Sequence, residues 1–315
     1  MQIERTKFGN TDLDVSLLGL GTAELGFSQA SLSTVDRVLH EASDAGINVI
    51  DTAAMYGNAE ESLGRTLIGR REQFHLFTKC GRHLPRLRGI RRSLRKIRRV
   101  VGEVLGEPSY EWHPTTLQAN IENSLGRLRT DRIELMQLHS CSREILQRGD
   151  VITALQKAKQ AGKVRYIGYS GDGDDALWAV RSGCFDAIQL SVNVADQQPL
   201  EDVIPLALTK GLGVIAKRPI ANAVWRSAFQ PDEEHLKTYW NRLNLLGYEF
   251  VRSSDAVAIA LAFTLKTGVH TAIVGTTSFH HMRSNIAAIG RKDPAYDAIR
   301  ERWKQIALQD WVAQM

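Results

Sequence analysis

Residues 48–57 read N-V-I-D-T-A-A-M-Y-G, and the sense of this stretch decides the architecture of the whole chain. An apolar run passes straight into an acid, Asp51, and five residues later a phenol, Tyr56, stands beside Gly57 in a loop. A buried strand of this kind delivers titratable groups to one end of a sheet. Its purpose depends on what the other strands bring to the same end.

Upstream, V-S-L-L-G-L-G ends at Gly21-Thr22, after residues that alternate about a Gly9-Asn10-Thr11-Asp12 turn as a short hairpin would. Ser33 reads as the N-cap of an amphipathic helix, V-D-R-V-L-H-E-A-S-D-A, that stops at Gly46. Downstream the strand-then-helix pattern repeats. F-H-L-F-T-K, I-E-L-M-Q-L-H, V-R-Y-I-G-Y-S, F-D-A-I-Q-L, G-L-G-V-I-A-K and T-A-I-V-G each lead to a helical stretch, with helices expected around 60–68, 115–128, 151–161, 255–266 and 280–289 and a last one closing the chain. Short, almost continuously apolar strands alternating with helices suit parallel strands covered on both faces. The fold class is therefore α/β: a (β/α)8 TIM barrel with an N-terminal β-hairpin, extra loops and a C-terminal helix, in one domain over residues 1–315. A doubly wound open sheet would show a G-x-G-x-x-G turn after an early strand, and G-L-G-T-A-E does not supply it.

Composition excludes several classes. With 43% hydrophobic and 24% charged residues the chain is globular, not disordered. The first ten residues lack the apolar core of a secretory signal and no apolar run approaches a membrane span, so a cytoplasmic location with no membrane partner is expected. Cys80, Cys141 and Cys184 are odd in number and lack zinc-ligand spacing, so no metal is expected and all three read as reduced thiols, with packing favoured over oxidative sensitivity. The net charge of +5 is local: residues 82–99 hold nine Lys/Arg and no acid, and without them the balance is 31 basic against 35 acidic.

The active site of such a barrel lies at the C-terminal ends of its strands. The residues where the apolar runs stop are Thr22, Asp51, Lys79, His139, Ser170, Gln189, Lys217 and Gly275, and seven of these eight are polar or charged. Each alone admits a duller role: a turn cap, a snorkelling lysine, a core histidine, a packed tyrosine. Their convergence on one face weighs for chemistry.

At these residues the chain resembles an aldo-keto reductase. Asp51 to Gly57 match D-x-x-x-x-Y-G, Lys79 in L-F-T-K-C matches a strand-end lysine, and Leu138-His139 matches an L-H pair. The run G-N-A-E-E-S-L-G-R-T-L and the opening G-L-G-T are also similar to the family's. The likeness spans nearly the whole chain and weakens over 82–111 and 221–250. It implies catalytic roles for Asp51, Tyr56, Lys79 and His139. A phenol titrating near ~10 is a poor acid at neutral pH, and a Lys79 ammonium oriented by Asp51 would stabilise its phenolate and lower that value. Tyr56 would then protonate a carbonyl oxygen positioned by His139 while a cofactor supplies hydride.

The resemblance further implies a nicotinamide dinucleotide bound without a Rossmann domain. Ser170 and Gln189 match ligands of the carboxamide, with Gly21, Thr22 and Asp51 near the same ring and Lys217 or Arg218 meeting the pyrophosphate. Gly171 replaces a common Asn, and A-K-R-P-I-A-N lacks the ring-stacking aromatic often found at that place. The adenosine end falls to Gly275, Thr276, Thr277, Ser278, His281 and Asn285, with the hydroxyls and helix-start N–H groups as a phosphate cradle. Gly275 and His281 stand where the family often has Lys and Arg, and Ser284 replaces a frequent Glu. Family habit favours NADPH, with NADH as the alternative.

The expected reaction is nicotinamide-dependent reduction of an aldehyde, ketone or sugar carbonyl, or its reverse, with Tyr56 as general acid/base. The alternative is an NAD(P)H-binding regulatory or interaction protein with little turnover. Within the insertion 82–111, Leu87, Ile90, Leu94, Ile97 and Val101 recur at helical spacing among Arg91, Arg92, Arg95, Lys96, Arg98 and Arg99, an amphipathic cationic helix bordering the mouth. A solvated helix is the plainer reading, and an anionic carbonyl substrate the functional one. Without aromatic interleaving or a recognised module, no nucleic-acid partner is expected. Trp112, Trp225, Phe229 and the residues near Trp311 are candidate pocket walls.

Overall fold

The computed structural model describes residues 2–83, 109–289, 295–307 and 311. Arg5–Lys7 (β1) and Asp14–Ser16 (β2) form the antiparallel hairpin, with Arg5 opposite Ser16. Eight parallel strands close a barrel: Leu18–Gly21 (β3), Val49–Asp51 (β4), His75–Cys80 (β5), Ile133–His139 (β8), Val164–Ser170 (β9), Ala187–Ser191 (β10), Gly213–Lys217 (β11) and Thr271–Gly275 (β12). Each was legible as an apolar run. Between β5 and β8, Arg82–His83 (β6) and Ser109–Tyr110 (β7) pair antiparallel, Arg82 opposite Tyr110. The cationic helix expected over 87–101 lies outside the described residues.

The hairpin sets which end of the barrel is open. Phe8, fully buried, stands against Phe77 with ring centroids 5.4 Å apart, and its ring lies where a Cβ on Gly213, the first residue of β11, would come within 2.4 Å. Phe8, Leu13 and Val15 join Val49, Phe77, Leu135, Ala187, Ile215 and Ile273 in the barrel's interior cluster. Burying one such ring contributes roughly 1.5–3 kcal/mol. The strands' N-terminal end is thus plugged and their C-terminal end forms the mouth.

The helices follow the expected order with small shifts of boundary. The first long helix is Leu32–Asp44, capped by Ser31, whose Oγ accepts from the Thr34 amide at 3.2 Å; the reading of Ser33 as the cap is corrected by two residues. Ser33 is inside the first turn because an extended residue must precede the cap's acceptor, and Ser31 has that conformation, at φ −63° and ψ 152°. Helices Ala59–Thr66, Pro114–Leu128, Asp150–Gln160, Ala256–Leu265 and Phe279–Ala288 stand where the periodicity placed them, and Tyr296–Ile306 is the last described helix. A further helix, Glu234–Leu246, lies within 221–250, where the family likeness weakens.

Helix Ala59–Thr66 is anchored by one buried acid. Glu60 accepts from Thr78 Oγ1 at 2.7 Å, Ser124 Oγ at 3.2 Å and Arg127 Nε at 2.7 Å, which ties the start of the helix to β5 and to helix Pro114–Leu128. The loop carrying Tyr56 is fixed from the other side by two glycines. A Cβ on Gly26 would sit 1.8 Å from the Tyr56 carbonyl oxygen, and Gly57, at φ +56°, would place one 2.5 Å from the Gly26 carbonyl oxygen. Only glycine permits this approach of backbone to backbone.

The candidate tryptophan walls pack elsewhere. Trp112 lies under Gly81 and stacks on Tyr110, Trp225 and Trp311 belong to the cluster built by the C-terminal helices, and Phe229 is 83% exposed. None of the four lines the large cavity, and residues 308–310 and 312–315 beside Trp311 lie outside the described residues. Trp311 is held by Trp303, at 5.2 Å between centroids, and by the Arg242 guanidinium, at 5.3 Å. Among the described residues no helix is long and apolar enough to cross a membrane, and no cluster of His, Cys, Asp and Glu could hold a metal ion.

Candidate active site

At the mouth, Asp51 ends β4 and Lys79 is the penultimate residue of the neighbouring β5, and parallel pairing brings their side chains together. Lys79 Nζ donates to Asp51 Oδ1 at 2.6 Å and to the Thr52 carbonyl at 3.0 Å, and both side chains are buried. The other carboxylate oxygen accepts from Gln189 Nε2 at 3.1 Å, and Gln189 Oε1 accepts from Gln137 Nε2 at 3.2 Å. Burial works against the Lys79 ammonium, but Asp51 and Tyr56 outweigh it and hold its pKa above the ordinary lysine value. Burial pushes the Asp51 carboxyl up, opposed by Lys79 and Gln189.

Tyr56 stands over this pair. Lys79 Nζ is 5.2 Å from the ring centroid, and its charge acts to lower the pKa of the phenol. The ring meets His139, the last residue of β8, edge-on at 5.9 Å and 85°, and meets Phe27 at 5.7 Å. The expectation of a net lowering of the phenol's pKa is corrected here. Burial raises it more than Lys79 lowers it, and Asp51 adds to the rise. The resting group is therefore a neutral phenol, and the Lys79 ammonium beside it would stabilise a phenolate formed from it.

His139 is pushed well below the ordinary imidazole value, first by burial and then by Lys79, Arg82, Lys217 and Arg218. A neutral imidazole carries one N–H and so can donate one hydrogen bond. Its Nδ1 is buried without a hydrogen-bond partner among the described residues.

These groups open on a cavity of about 930 Å³, at the upper end of the usual range for ligand pockets. It is lined by Gly21, Thr22, Asp51, Tyr56, Lys79, His139, Ser170, Gln189, Lys217 and Arg218, and at its far end by Gly275, Thr276, His281, Ser284 and Asn285. All the expected site residues but Thr277 and Ser278 share this space; both are outside the lining, and Thr277 is exposed. The expected hydroxyl cradle is also partly spent on the local fold. Thr276 Oγ1 donates to the Ser278 carbonyl at 3.1 Å, and Ser278 Oγ caps helix Phe279–Ala288 by accepting from the His281 amide at 3.4 Å.

Two departures from the family's pattern have a steric reason. A Cβ on Gly171 would lie 2.3 Å from Tyr169 Oη, which donates to the Cys141 carbonyl at 2.8 Å, so Tyr169 occupies the space an asparagine would need. A Cβ on Gly275 would lie 1.9 Å from Glu24 Oε2, so an acid fills the space above the position that often carries lysine. Glu24 lines the cavity, and burial pushes its carboxyl up. Sequence reading missed Glu24. It also missed Asp172, which holds Lys217 Nζ at 2.8 Å and accepts from the Ser191 amide at 2.6 Å, and the apolar wall formed by Phe27, Ile220 and Leu236. Glu24 and Asp172 each lie within two residues of a singled-out strand end, and that nearness was the available signal. The segment after β11 crosses the cavity in a bent conformation, with Arg218, Asn222 and Ala223 at φ 51–54°.

Cys80 and Cys141 are fully buried, and burial raises both thiols, Cys80 to about 12. They are packing residues and poor nucleophiles.

The residues present fit a dinucleotide. Ser170 and Gln189 line the cavity as polar groups suited to a carboxamide, and Lys217 and Arg218 line it as cations suited to a diphosphate. A closed barrel with Tyr, Lys, Asp and His at its strand ends defines a class, the barrel oxidoreductases that reduce carbonyls with a nicotinamide. Residues 17–302 match the model of the aldo/keto reductase family, and the chain belongs to that family. It is an NAD(P)H-dependent oxidoreductase. It is 28% identical over 305 residues to L-galactose dehydrogenase of Arabidopsis thaliana, covering 91% of this chain and 88% of that one. It is 26% identical to the NADH-specific methylglyoxal reductase of Escherichia coli (strain K12), covering 91% and 94%. The solved aldo-keto reductase AKR11C1 of Bacillus halodurans, in its holo form, shares the fold with a TM-score of 0.79 at 24% identity over 97% of each chain.

Proposed function

We propose that the chain, as one domain, reduces a small carbonyl compound with Tyr56 as general acid. The observation that carries this reading is the buried group in which Lys79 lies between Asp51, at 2.6 Å, and the Tyr56 ring, at 5.2 Å from its centroid. A bound reduced nicotinamide supplies the hydride. Tyr56 gives its proton to the carbonyl oxygen, Lys79 stabilises the phenolate left behind, and Asp51 keeps the ammonium charged and aimed. His139 donates its one N–H to the same oxygen. Ser170 and Gln189 orient the carboxamide, while Lys217 and Arg218 meet the diphosphate. Phe27, Ile220 and Leu236 shield the site from water.

The residues at the adenosine end favour NADH over the NADPH of family habit. A 2′-phosphate needs cations, and this end carries Gly275, His281, Ser284 and the Glu24 carboxyl. Arg283 is committed outward, its Nε and Nη2 donating to Glu41 at 2.7 and 2.6 Å. Oxidation of NADH and NADPH across a panel of aldehydes, ketones and sugars tests both points. NADH is expected to match or exceed NADPH in kcat/KM, and Glu24→Gln to raise NADPH use by about tenfold, the equivalent of ~1.4 kcal/mol. A tenfold preference of the unaltered enzyme for NADPH overturns the assignment.

A further inference from the structure

Arg82 is a cation at the mouth that the reading above does not use. It follows β5 by two residues and lines the same cavity as Tyr56 and His139. Its guanidinium carbon is 5.5 Å from the Tyr110 ring centroid across the β6–β7 pair, a cation–π contact that helps hold the group in place. Its Nε is buried with no hydrogen-bond partner, and it makes no ion pair among the described residues.

The two lysines of the cavity differ in this respect. Lys79 is held by Asp51, and Lys217 by Asp172. Position also separates them. In the barrel order β10-β11-β12-β3-β4-β5-β8-β9, β5 and β11 are four strands apart in either direction. Lys217 and Arg218, at the end of β11, therefore face Arg82 from the opposite side of the mouth. A diphosphate served by the β11 pair leaves Arg82 to whatever lies beside Tyr56 and His139.

A guanidinium, with its donors in one plane, matches a carboxylate better than a point charge does. A buried donor left without an acceptor is costly, so a ligand that supplies one gains affinity. We propose that Arg82 is a specificity-determining residue that binds a carboxylate carried by the substrate near its carbonyl group, so that the favoured substrates are oxo-acids. The proposal rests on the assignment of Tyr56 and His139 as the carbonyl-binding groups. It goes beyond that assignment by naming the second group of the substrate and the side chain that reads it.

The test compares 4-carboxybenzaldehyde and succinic semialdehyde with the neutral methyl 4-formylbenzoate, on the full chain and on Arg82→Gln and Arg82→Lys. Arg82→Gln is expected to lower kcat/KM for the two acids by about 10- to 100-fold, mostly through KM, and to leave the ester within about threefold. Arg82→Lys should recover only part of the loss, because it keeps the charge without the planar fork. An equal fall for acids and ester, or none for the acids, overturns the proposal. Binding of benzoate and benzamide, followed by calorimetry on the protein saturated with NAD+ or NADP+, separates this inference from the catalytic one. Benzoate binding that Arg82→Gln abolishes, with benzamide indifferent, upholds it even if no carbonyl is turned over. Turnover of neutral aldehydes with no binding of benzoate refutes it and leaves the role of Tyr56 standing. Arg82 has no hydrogen bond among the described residues, so both variants are expected to fold, which the thermal midpoint checks.

Discussion

Tyr56→Phe is expected to lower kcat/KM for carbonyl reduction by about 10²- to 10⁴-fold, the usual contribution of a positioned general acid. The substitution keeps the ring and its edge contacts with His139 and Phe27, so the cavity keeps its shape. What is lost is the hydroxyl that Lys79 supports. Losing one buried hydroxyl costs about 0.5–1.5 kcal/mol of stability, far less than the kinetic effect, so the two are separable. Steady-state reduction and cofactor titration on the same preparation decide the matter. Dinucleotide affinity should hold within a few fold while turnover collapses; turnover within about threefold of the unaltered enzyme would remove Tyr56 from the mechanism.

Lys79→Met is expected to be the most damaging single change, because it acts on both stability and chemistry. Asp51 would remain buried against Gln189 with its counter-ion gone. Breaking a buried pair from one side costs about 3–5 kcal/mol, a large fraction of a typical protein's stability. The penalty has a definite pH dependence. Burial is what pushes the Asp51 carboxyl up, and without Lys79 nothing of comparable strength opposes it. A group whose pKa is higher in the folded state than in the unfolded state contributes stability at low pH and loses it as pH rises through the folded value. The variant should therefore lie closer to the unaltered protein at pH 5 than at pH 8 in denaturant unfolding. Asp51→Asn combined with Lys79→Met should cost less than the two single changes summed, since it removes both halves of the pair. A pH-independent gap between variant and parent would show that Asp51 is not left as an uncompensated charge.

What could be read from the residues alone divides along a physical line. The barrel was legible because each strand is a short apolar run of its own, and Asp51, Lys79, His139, Ser170 and Gln189 were legible because such runs end on polar groups. Pairing of parallel strands then brings those ends together whatever the loops do. The sense of the Tyr56 titration was not legible. A motif displays the neighbouring ammonium but not the depth of burial, and here burial is the larger effect. Glu24 escaped for another reason: it takes its meaning from a contact across the fold, with the bare backbone of Gly275. The tryptophans failed as wall candidates because a large aromatic packs equally well in any core, and the C-terminal helices supply one.

The central claim is that hydride passes to a carbonyl carbon in this cavity, with Tyr56 protonating the oxygen. The most direct measurement uses reduced nicotinamide dinucleotide deuterated at C4 on its transferring face, and follows the mass of the alcohol formed by the unaltered enzyme and by Tyr56→Phe. The account predicts one deuterium on the former carbonyl carbon, formed at a rate that falls by about two orders of magnitude or more in the variant. Alcohol without the label, or labelled alcohol formed equally fast by both proteins, would contradict it.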